Sequence, residues 1–233
     1  MLVSSATVKI EGRSLDSLNI ANLRRRRNRS LVMQEAHQVA RINGEDLTLT
    51  WRYSGYCRAN HEAAIEFSID TDNNIPFSEL ECFAYDLRQD PSQNHKIRPI
   101  LVGADGSSKK IAVPFLKPLA TQQPFSVLLK CTLPRCMKGG VEYYTSTLSF
   151  DQPKVRLFTV RLVFVRAWPN WVRVYECDAT GRVGLIRDLR PVHKEHNGSE
   201  YLDVAEDVGA QSARIYMFQR TSLSPKFLLR PAA

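Results

Sequence analysis

The sequence predicts an all-β protein built as an antiparallel β-sandwich, Ig-like or jelly-roll-like, with a basic N-terminal extension. Runs rich in Val, Ile, Leu, Phe and Tyr recur about every 8 to 15 residues along the chain. Gly, Pro, Asn and Asp separate these runs, and those residue types favour turns. Several runs alternate apolar and polar side chains, which is the period of a strand with one buried face. No alternation of helix and strand patterns, which would predict a parallel sheet, is visible.

The composition is that of a soluble globular protein with a large β domain. The 233 residues are 43% hydrophobic and 24% charged, and the chain is long enough to bury a core. The longest apolar run contains Arg156 and Arg161, so we expect no membrane span. The N-terminus shows no charged region followed by an apolar core, the pattern of a secretory signal.

The cysteines predict a reducing environment. The chain has five cysteines, an odd number, at positions 57, 82, 131, 136 and 177. They are scattered along the chain, and most of their neighbours are apolar or aromatic. Buried free thiols explain this pattern most simply. We therefore expect a cytoplasmic protein, because free thiols persist in a reducing compartment.

Three parts of the chain differ in composition. We assign residues 1–38 to the basic N-terminal extension, residues 39–222 to the β-sandwich domain and residues 223–233 to a C-terminal tail. A boundary near residues 151–153 would divide the sandwich in two, but the strong strand directly after it favours one continuous core. The formal net charge is +8, and residues 1–41 carry +5 of it, with eight Lys or Arg against three Asp or Glu.

The extension contains an arginine-rich arm, formed by Arg24, Arg25, Arg26, Arg27 and Arg29. Four consecutive arginines cannot all face a core, so they must lie in solvent or pair with an anion. Phosphates of a nucleic acid are one such anion. No aromatic side chain lies among these arginines to stack on a base, so a solvated linker, or a surface that complements an acidic patch of the same chain, is the other interpretation.

The first part of the chain contains a short strand, a turn of helix and a hairpin. Residues 6–10 predict the strand, and residues 30–40 are consistent with a helical turn. Asn43 and Gly44 then stand between two alternating runs, which is a strong hairpin signal because both residue types tolerate positive φ. The run after them predicts a strand with one apolar face, formed by Leu47, Leu49, Trp51 and Tyr53.

Further strands follow along the rest of the chain. Alternation and apolar runs predict them at residues 65–69, 80–85, 97–102, 110–115, 125–133, 141–150, 183–192, 201–204 and 213–219.

The most apolar stretch, residues 154–177, predicts a central hairpin. Its first run is too apolar for clean alternation and predicts a strand buried on both faces along part of its length. Its second run alternates around Trp171, Arg173 and Tyr175. Pro169 and Asn170 between the runs favour a turn, because Pro lacks a backbone donor and Asn tolerates turn geometry.

No strong catalytic or metal-binding motif is present. The sequence contains no nucleophile elbow of the Gly-x-Ser-x-Gly type, no phosphate-binding glycine loop and no dinucleotide fingerprint. Three weaker groups of residues are candidate sites. Cys57 with His61 is a candidate thiol nucleophile, and Cys131 and Cys136 with His193 and His196 are candidate zinc ligands. Residues 70–74 are a candidate calcium site. Ordinary core cysteines and polar turns explain each of them better, so we expect no catalytic residues, no metal and no cofactor.

The remaining signal is a mixture of arginines and aromatic residues around the predicted central hairpin, a composition enriched at protein interfaces. We predict partner binding by Arg156, Arg161, Arg166, Trp168, Trp171, Arg173 and Tyr175. The sequence therefore favours a non-catalytic recognition or accessory module that binds another protein. One alternative is a nucleic-acid-binding or coat-like β protein that uses the arginine-rich arm. Another is a cysteine- or metal-dependent hydrolase.

Overall fold

The computed structural model describes residues 9–15, 28–88, 96–148, 150, 152–195, 197–209 and 212–220, and it confirms the all-β class. Within them lie sixteen strands and one short 3₁₀ helix, Phe77–Glu79. The strands are β1 (Lys9–Ile10), β2 (Arg13–Ser14), β3 (Leu31–Asn43), β4 (Asp46–Cys57), β5 (Glu62–Asp70), β6 (Glu81–Asp86), β7 (Ile100–Asp105), β8 (Ser108–Leu119), β9 (Pro124–Leu133), β10 (Val141–Thr147), β11 (Lys154–Val165), β12 (Val172–Cys177), β13 (Val183–Leu189), β14 (Pro191–Glu195), β15 (Gly198–Gly209) and β16 (Ala213–Gln219).

A seven-stranded sheet forms one complete layer, in the order β14-β15-β11-β3-β4-β9-β6. Its ladders are antiparallel except that β11 pairs with β3 in parallel. The predicted hairpin joins β3 to β4, with Asn43 opposite Asp46 and Gly44 at a φ of 61°. Along β4, alternate side chains from Leu47 to Tyr53 are buried, as predicted, because every second residue faces the core.

Two smaller sheets share the second layer. One has the order β10-β16-β12-β13 and the other the order β5-β8-β7. Both pack on the same face of the seven-stranded sheet, since a single cluster of buried side chains contains residues from all three sheets. The Tyr53 and Phe67 rings stack at 5.2 Å on the three-stranded side, and Phe164 meets Phe218 edge-on at 4.9 Å on the four-stranded side. The result is a sandwich with one continuous and one divided layer.

The β1–β2 hairpin covers the outer side of the four-stranded sheet. Ile10 and Leu15 join a second buried cluster there, together with Tyr175 and Ile215. Glu11, in the hairpin turn, accepts hydrogen bonds from Arg173 and Tyr175 of β12. The beginning of the described chain is therefore an integral part of the packing.

The predicted central hairpin is wrong. Strand β11 pairs with β3 and β15, whereas β12 pairs with β13 and β16 in a different sheet. The intervening segment crosses between layers: Arg166 N–H donates to the Asn197 carbonyl, and Asn170 N–H donates to the Gln219 carbonyl. Strand β11 is also not buried on both faces, because Arg161 is exposed between buried neighbours.

The predicted extent of the N-terminal extension and the helical turn also need correction. Residues 31–38, assigned to the extension, belong to β3, which lies in the middle of the seven-stranded sheet. Its alternating buried residues Leu31, Met33, Ala36 and Ala40 face the core, so residues 30–40 contain no helical turn. Residues 1–8, 16–27 and 221–233 lie outside the described residues.

The cysteines differ in part from the prediction. Cys82 on β6 and Cys131 on β9 are directly opposite register partners and form a disulfide, with Cα atoms 4.2 Å apart. Cys57 and Cys177 are buried free thiols, as expected, and Cys136 is a half-buried free thiol. In the described part of the chain, no helix has the length and apolar character needed to cross a membrane.

Candidate functional site

The outer face of the seven-stranded sheet, opposite the two smaller sheets, divides into two electrostatically different halves. On the β11 side, Arg156 pairs with Glu35, and Arg161 lies 3.8 Å from a Glu200 carboxylate oxygen. On the β6 side, the basic side chains form no ion pair within the described residues; they are Arg52, Lys96, Arg98 and Lys130. Among the described residues, the second half therefore carries an excess of positive charge, with Glu81 as a neighbouring carboxylate.

We call the residues of that half the basic–aromatic patch: Arg52, Phe83, Tyr85, Lys96, Arg98 and Lys130. Strand register places Phe83 of β6 opposite Lys130 of β9. Two ammonium groups approach the Phe83 ring, Lys96 Nζ at 4.5 Å and Lys130 Nζ at 5.7 Å from its centre. Tyr85 meets the same ring edge-on at 5.8 Å. Both rings are half-buried, so part of their surface remains open.

A pocket of about 330 Å³ adjoins this patch. Phe83, Lys96 and Arg98 form its polar and aromatic side, and Phe77 and Leu80 are among its apolar lining. Its volume falls at the low end of small-ligand pockets, which begin near about 300 Å³. The pocket extends the patch around the end of β6.

The free edge of β7 is a second candidate surface. Strand β7 pairs with β8 on one side and with no other described strand. Ile100, Leu101 and Val102 are 56%, 39% and 51% exposed. Neighbouring side chains of a strand point to opposite faces, so this exposure leaves both faces of the edge accessible. An irregularity in the ladder falls between Leu101 and Gly103.

A cavity of about 100 Å³ lies where the three sheets meet. On its lining, the Tyr144 hydroxyl donates to Gln38 Oε1 over 2.6 Å, and Gln38 Nε2 donates to the Tyr53 hydroxyl over 2.9 Å. Burial raises the pKa of both tyrosines above the ordinary value. The phenols therefore stay neutral, and this chain of hydrogen bonds satisfies polar groups inside the core.

The predicted partner-binding residues lie in three places. Arg156 and Arg161 lie on β11, where each has a glutamate partner. Arg166 and Trp168 lie in the crossing segment, where Trp168 Nε1 donates to the Glu195 carbonyl over 2.9 Å. The remaining residues, Trp171, Arg173 and Tyr175, lie under or beside the β1–β2 hairpin, with the Arg173 guanidinium 4.8 Å from the Trp171 ring centre.

The predicted anion-binding residues can be placed only in part. Arg24, Arg25, Arg26 and Arg27 lie outside the described residues. Arg29 is exposed, in the turn before β3. The binding of nucleic acid by this arm stays a prediction.

The three weaker chemical constellations have structural explanations. The Cys57 thiol is buried and donates to the Ala59 carbonyl over 3.0 Å. Cys131 is in the disulfide, and burial raises the pKa of Cys136 to about 12. In the 70–74 turn, Thr71 Oγ1 donates to the Asn73 carbonyl. No group of three or more His, Cys, Asp or Glu side chains within the described ranges could hold a metal ion.

Sequence reasoning missed the two exposed surfaces, although it placed strands at both. The run Ile97–Val102 predicts a strand but does not reveal that one edge stays open. Phe83 and Tyr85 follow from strand alternation, but their proximity to Lys96 and Lys130 depends on pairing with distant strands.

The fold and these surfaces define a class of protein: a large all-β sandwich with an open strand edge and a charged sheet face. No protein-family model matches the sequence, and no curated protein matches it either.

Several solved structures resemble the fold at low sequence identity. The M1 zinc metallopeptidase from Deinococcus radiodurans is 14% identical with a TM-score of 0.50, over 82% of this chain and 42% of that chain. A two-domain M1 zinc metallopeptidase variant bound to L-arginine is 13% identical with a TM-score of 0.50, over 82% of this chain and 43% of that one. A putative nutrient binding protein from Legionella pneumophila is 7% identical with a TM-score of 0.49, over 82% and 68%. The chain thus spans less than half the length of the metallopeptidases, and at such identities the likeness concerns the fold alone.

Proposed function

We propose that this protein is a non-catalytic recognition module that binds another protein by adding an extended segment of that protein to the free edge of β7. The observation that carries the proposal is the run of three consecutive exposed apolar residues, Ile100 to Val102, on an edge strand. Unpaired backbone groups at a sheet edge supply hydrogen bonds to an added strand, and the flanking side chains supply specificity.

The chemistry of the edge indicates the kind of segment that it accepts. The side chains of Ile100, Leu101 and Val102 offer aliphatic contacts on both faces of the sheet. An extended segment with Val, Ile or Phe at alternate positions would bury them.

The Cys82–Cys131 disulfide bears on where such a module works. Disulfides persist in oxidising compartments, so this bond favours a location outside the cytoplasm over the cytoplasmic location predicted from the odd number of cysteines.

The test uses extended peptides selected from a displayed library against the whole protein. We expect amide hydrogen exchange at β7 to slow on peptide binding, and the double variant Ile100→Lys with Val102→Lys to weaken binding by at least about tenfold. Both positions are exposed, so the fold should survive the added charges.

Val204→Lys is the matched control, because Val204 is an apolar residue of β15 that is 46% exposed. Peptide binding that is lost equally in the control, or that protects amides outside β7, would refute the proposal. Dimerisation of the free protein through β7 would also refute it.

A further inference from the structure

We infer that the basic–aromatic patch on the β4, β9 and β6 half of the outer face binds single-stranded nucleic acid. This inference goes beyond the proposed function, since it concerns another surface and another class of ligand. It does not depend on the arginine-rich arm, because the patch consists entirely of described residues.

The charge of the patch favours a polyanionic ligand. Arg52, Lys96, Arg98 and Lys130 have no carboxylate partner in the described chain, whereas Arg156 on the same sheet is paired with Glu35. Glu81, at the rim of the pocket beside Phe83, is the acidic residue that borders the patch. Within the described residues, four cations without ion pairs lie near one carboxylate. This excess of positive charge attracts a polyanion, and the release of its counterions favours binding.

Aromatic rings lie among these cations. Two ammonium groups lie within 6 Å of the Phe83 ring centre, and Tyr85 on the same strand makes a T-shaped contact with this ring. Half-buried rings on a sheet surface offer stacking surface to bases, and nearby lysines contact the phosphates. An acidic polypeptide would satisfy the cations but gain less from the rings, so the combination favours nucleic acid.

The shape of the patch suits a single strand. The patch is a sheet face, which is broad and open, and it continues into the pocket of about 330 Å³ lined by Lys96 and Arg98. A single strand can lay successive bases on such a face, whereas the base faces in a duplex are stacked on one another and are not accessible to the rings. The pocket provides a place for one nucleotide at the end of β6.

The experiment measures fluorescence anisotropy of a labelled oligothymidylate with the whole protein over a series of salt concentrations. Phe83→Leu keeps apolar volume and removes the ring, so we expect it to weaken binding by about tenfold. The double variant Lys96→Gln with Lys130→Gln removes two phosphate contacts, so we expect the magnitude of the logarithmic salt slope to fall by about 1.4. Arg156→Gln, an exposed base with an acidic partner on the same face, should leave binding unchanged.

Additional variants and a competition assay distinguish binding of nucleic acid by the patch from binding of an acidic protein and from binding by the arginine-rich arm. If Phe83→Leu does not fold, as judged by circular dichroism, Tyr85→Leu takes its place as the variant that removes a ring. Competition by oligoglutamate as strong as by oligothymidylate would overturn the inference in favour of an acidic protein ligand. Binding that survives the patch variants but is lost on replacing Arg24 to Arg27 with Gln would assign it to the arm. None of these outcomes alters peptide protection at β7, so the two proposals fail separately.

Discussion

At the scale of single residues, Asp203 holds the two layers together. This fully buried carboxylate of β15 accepts hydrogen bonds from Arg187 of β13, Arg214 of β16 and the Tyr216 hydroxyl. Burial and the adjacent Asp203 charge both raise the pKa of Tyr216, so its hydroxyl remains a donor. One side chain therefore connects the seven-stranded sheet with the four-stranded sheet.

Replacing this carboxylate should destabilise the protein strongly. Asp203→Ala leaves two arginines without their common partner, and removing one member of a buried ionic group costs about 3 to 5 kcal/mol. Urea unfolding followed by circular dichroism measures the loss. Asp188→Ala is the control, because the Asp188 side chain is 67% exposed and its pair with Arg173 is worth less than about 1 kcal/mol. Similar losses in the two variants would contradict the assignment.

Glu11 links the β1–β2 hairpin to β12 in a manner that depends on pH. The Tyr175 hydroxyl and the Arg173 guanidinium hold the pKa of Glu11 below its ordinary value of 4.5. The hydrogen bonds with Asp188 and Glu11 raise the pKa of Arg173. Burial, and to a smaller extent the hydrogen bond with Glu11, raises the pKa of Tyr175 to about 12. An acid with a lowered pKa stabilises the folded state above its ordinary pKa, and this stabilisation is lost as the pH falls through the lowered pKa.

The hairpin should therefore detach in acid before the sandwich unfolds. We expect Trp171 fluorescence to change as the pH falls through the lowered pKa of Glu11, because this indole packs beside the hairpin. Glu11→Gln should abolish this step, and an identical acid transition in that variant would contradict the mechanism.

At the alkaline end, the raised pKa of Tyr175 predicts loss of the same contact as the pH rises through about 12.

At the scale of elements, the disulfide fixes an edge strand. Strand β6 has β9 as its only paired neighbour in the described sheet, apart from one bridge between Ala84 and Ile97. The Cys82–Cys131 bond therefore tethers β6 where a fraying edge would otherwise begin. It also supports the position of Phe83, the next residue along β6.

Counting thiols tests this bond. Alkylation of the unfolded, unreduced protein should modify three of the five cysteines, namely Cys57, Cys136 and Cys177. Prior reduction should raise the number to five. The double variant Cys82→Ser with Cys131→Ser should lose about 2 to 4 kcal/mol of stability in the absence of reductant. Five modified cysteines without reduction would show that the bond does not form.

The individual strands follow from the sequence much better than their pairing does. Strand β4 could be predicted, because alternation from Leu47 to Tyr53 and the Asn43-Gly44 turn are local signals. The relation between β11 and β12 could not, because Pro169 and Asn170 favour a turn whether or not the flanking strands pair. The pairing depends on strands that are distant in the sequence, since β11 pairs with β3 and β12 pairs with β16.

At the scale of the whole molecule, the candidate surfaces depend on which faces and edges the sheets leave uncovered. Sequence identified the arginines and aromatic residues of β11 and β12, but the layers separate them and use Arg173 and Tyr175 to hold the hairpin. The patch around Phe83 needs β4, β9 and β6 side by side, which no short motif encodes. The open β7 edge likewise exists only because no described strand pairs beyond it.

The interleaving of the strands also predicts that the molecule unfolds as one unit. Strand β11 lies after residues 151–153 and pairs with β3 before them, while β10 before this point pairs with β16 after it. Cutting the chain there would expose the interior of both layers, since one buried cluster spans all three larger sheets. We expect residues 1–150 and 154–233 to be unfolded when produced separately and to regain β structure when mixed. Circular dichroism and tryptophan fluorescence of the intact chain should give one coincident urea transition. A cooperative transition in either isolated fragment would instead indicate two sandwiches joined at residues 151–153.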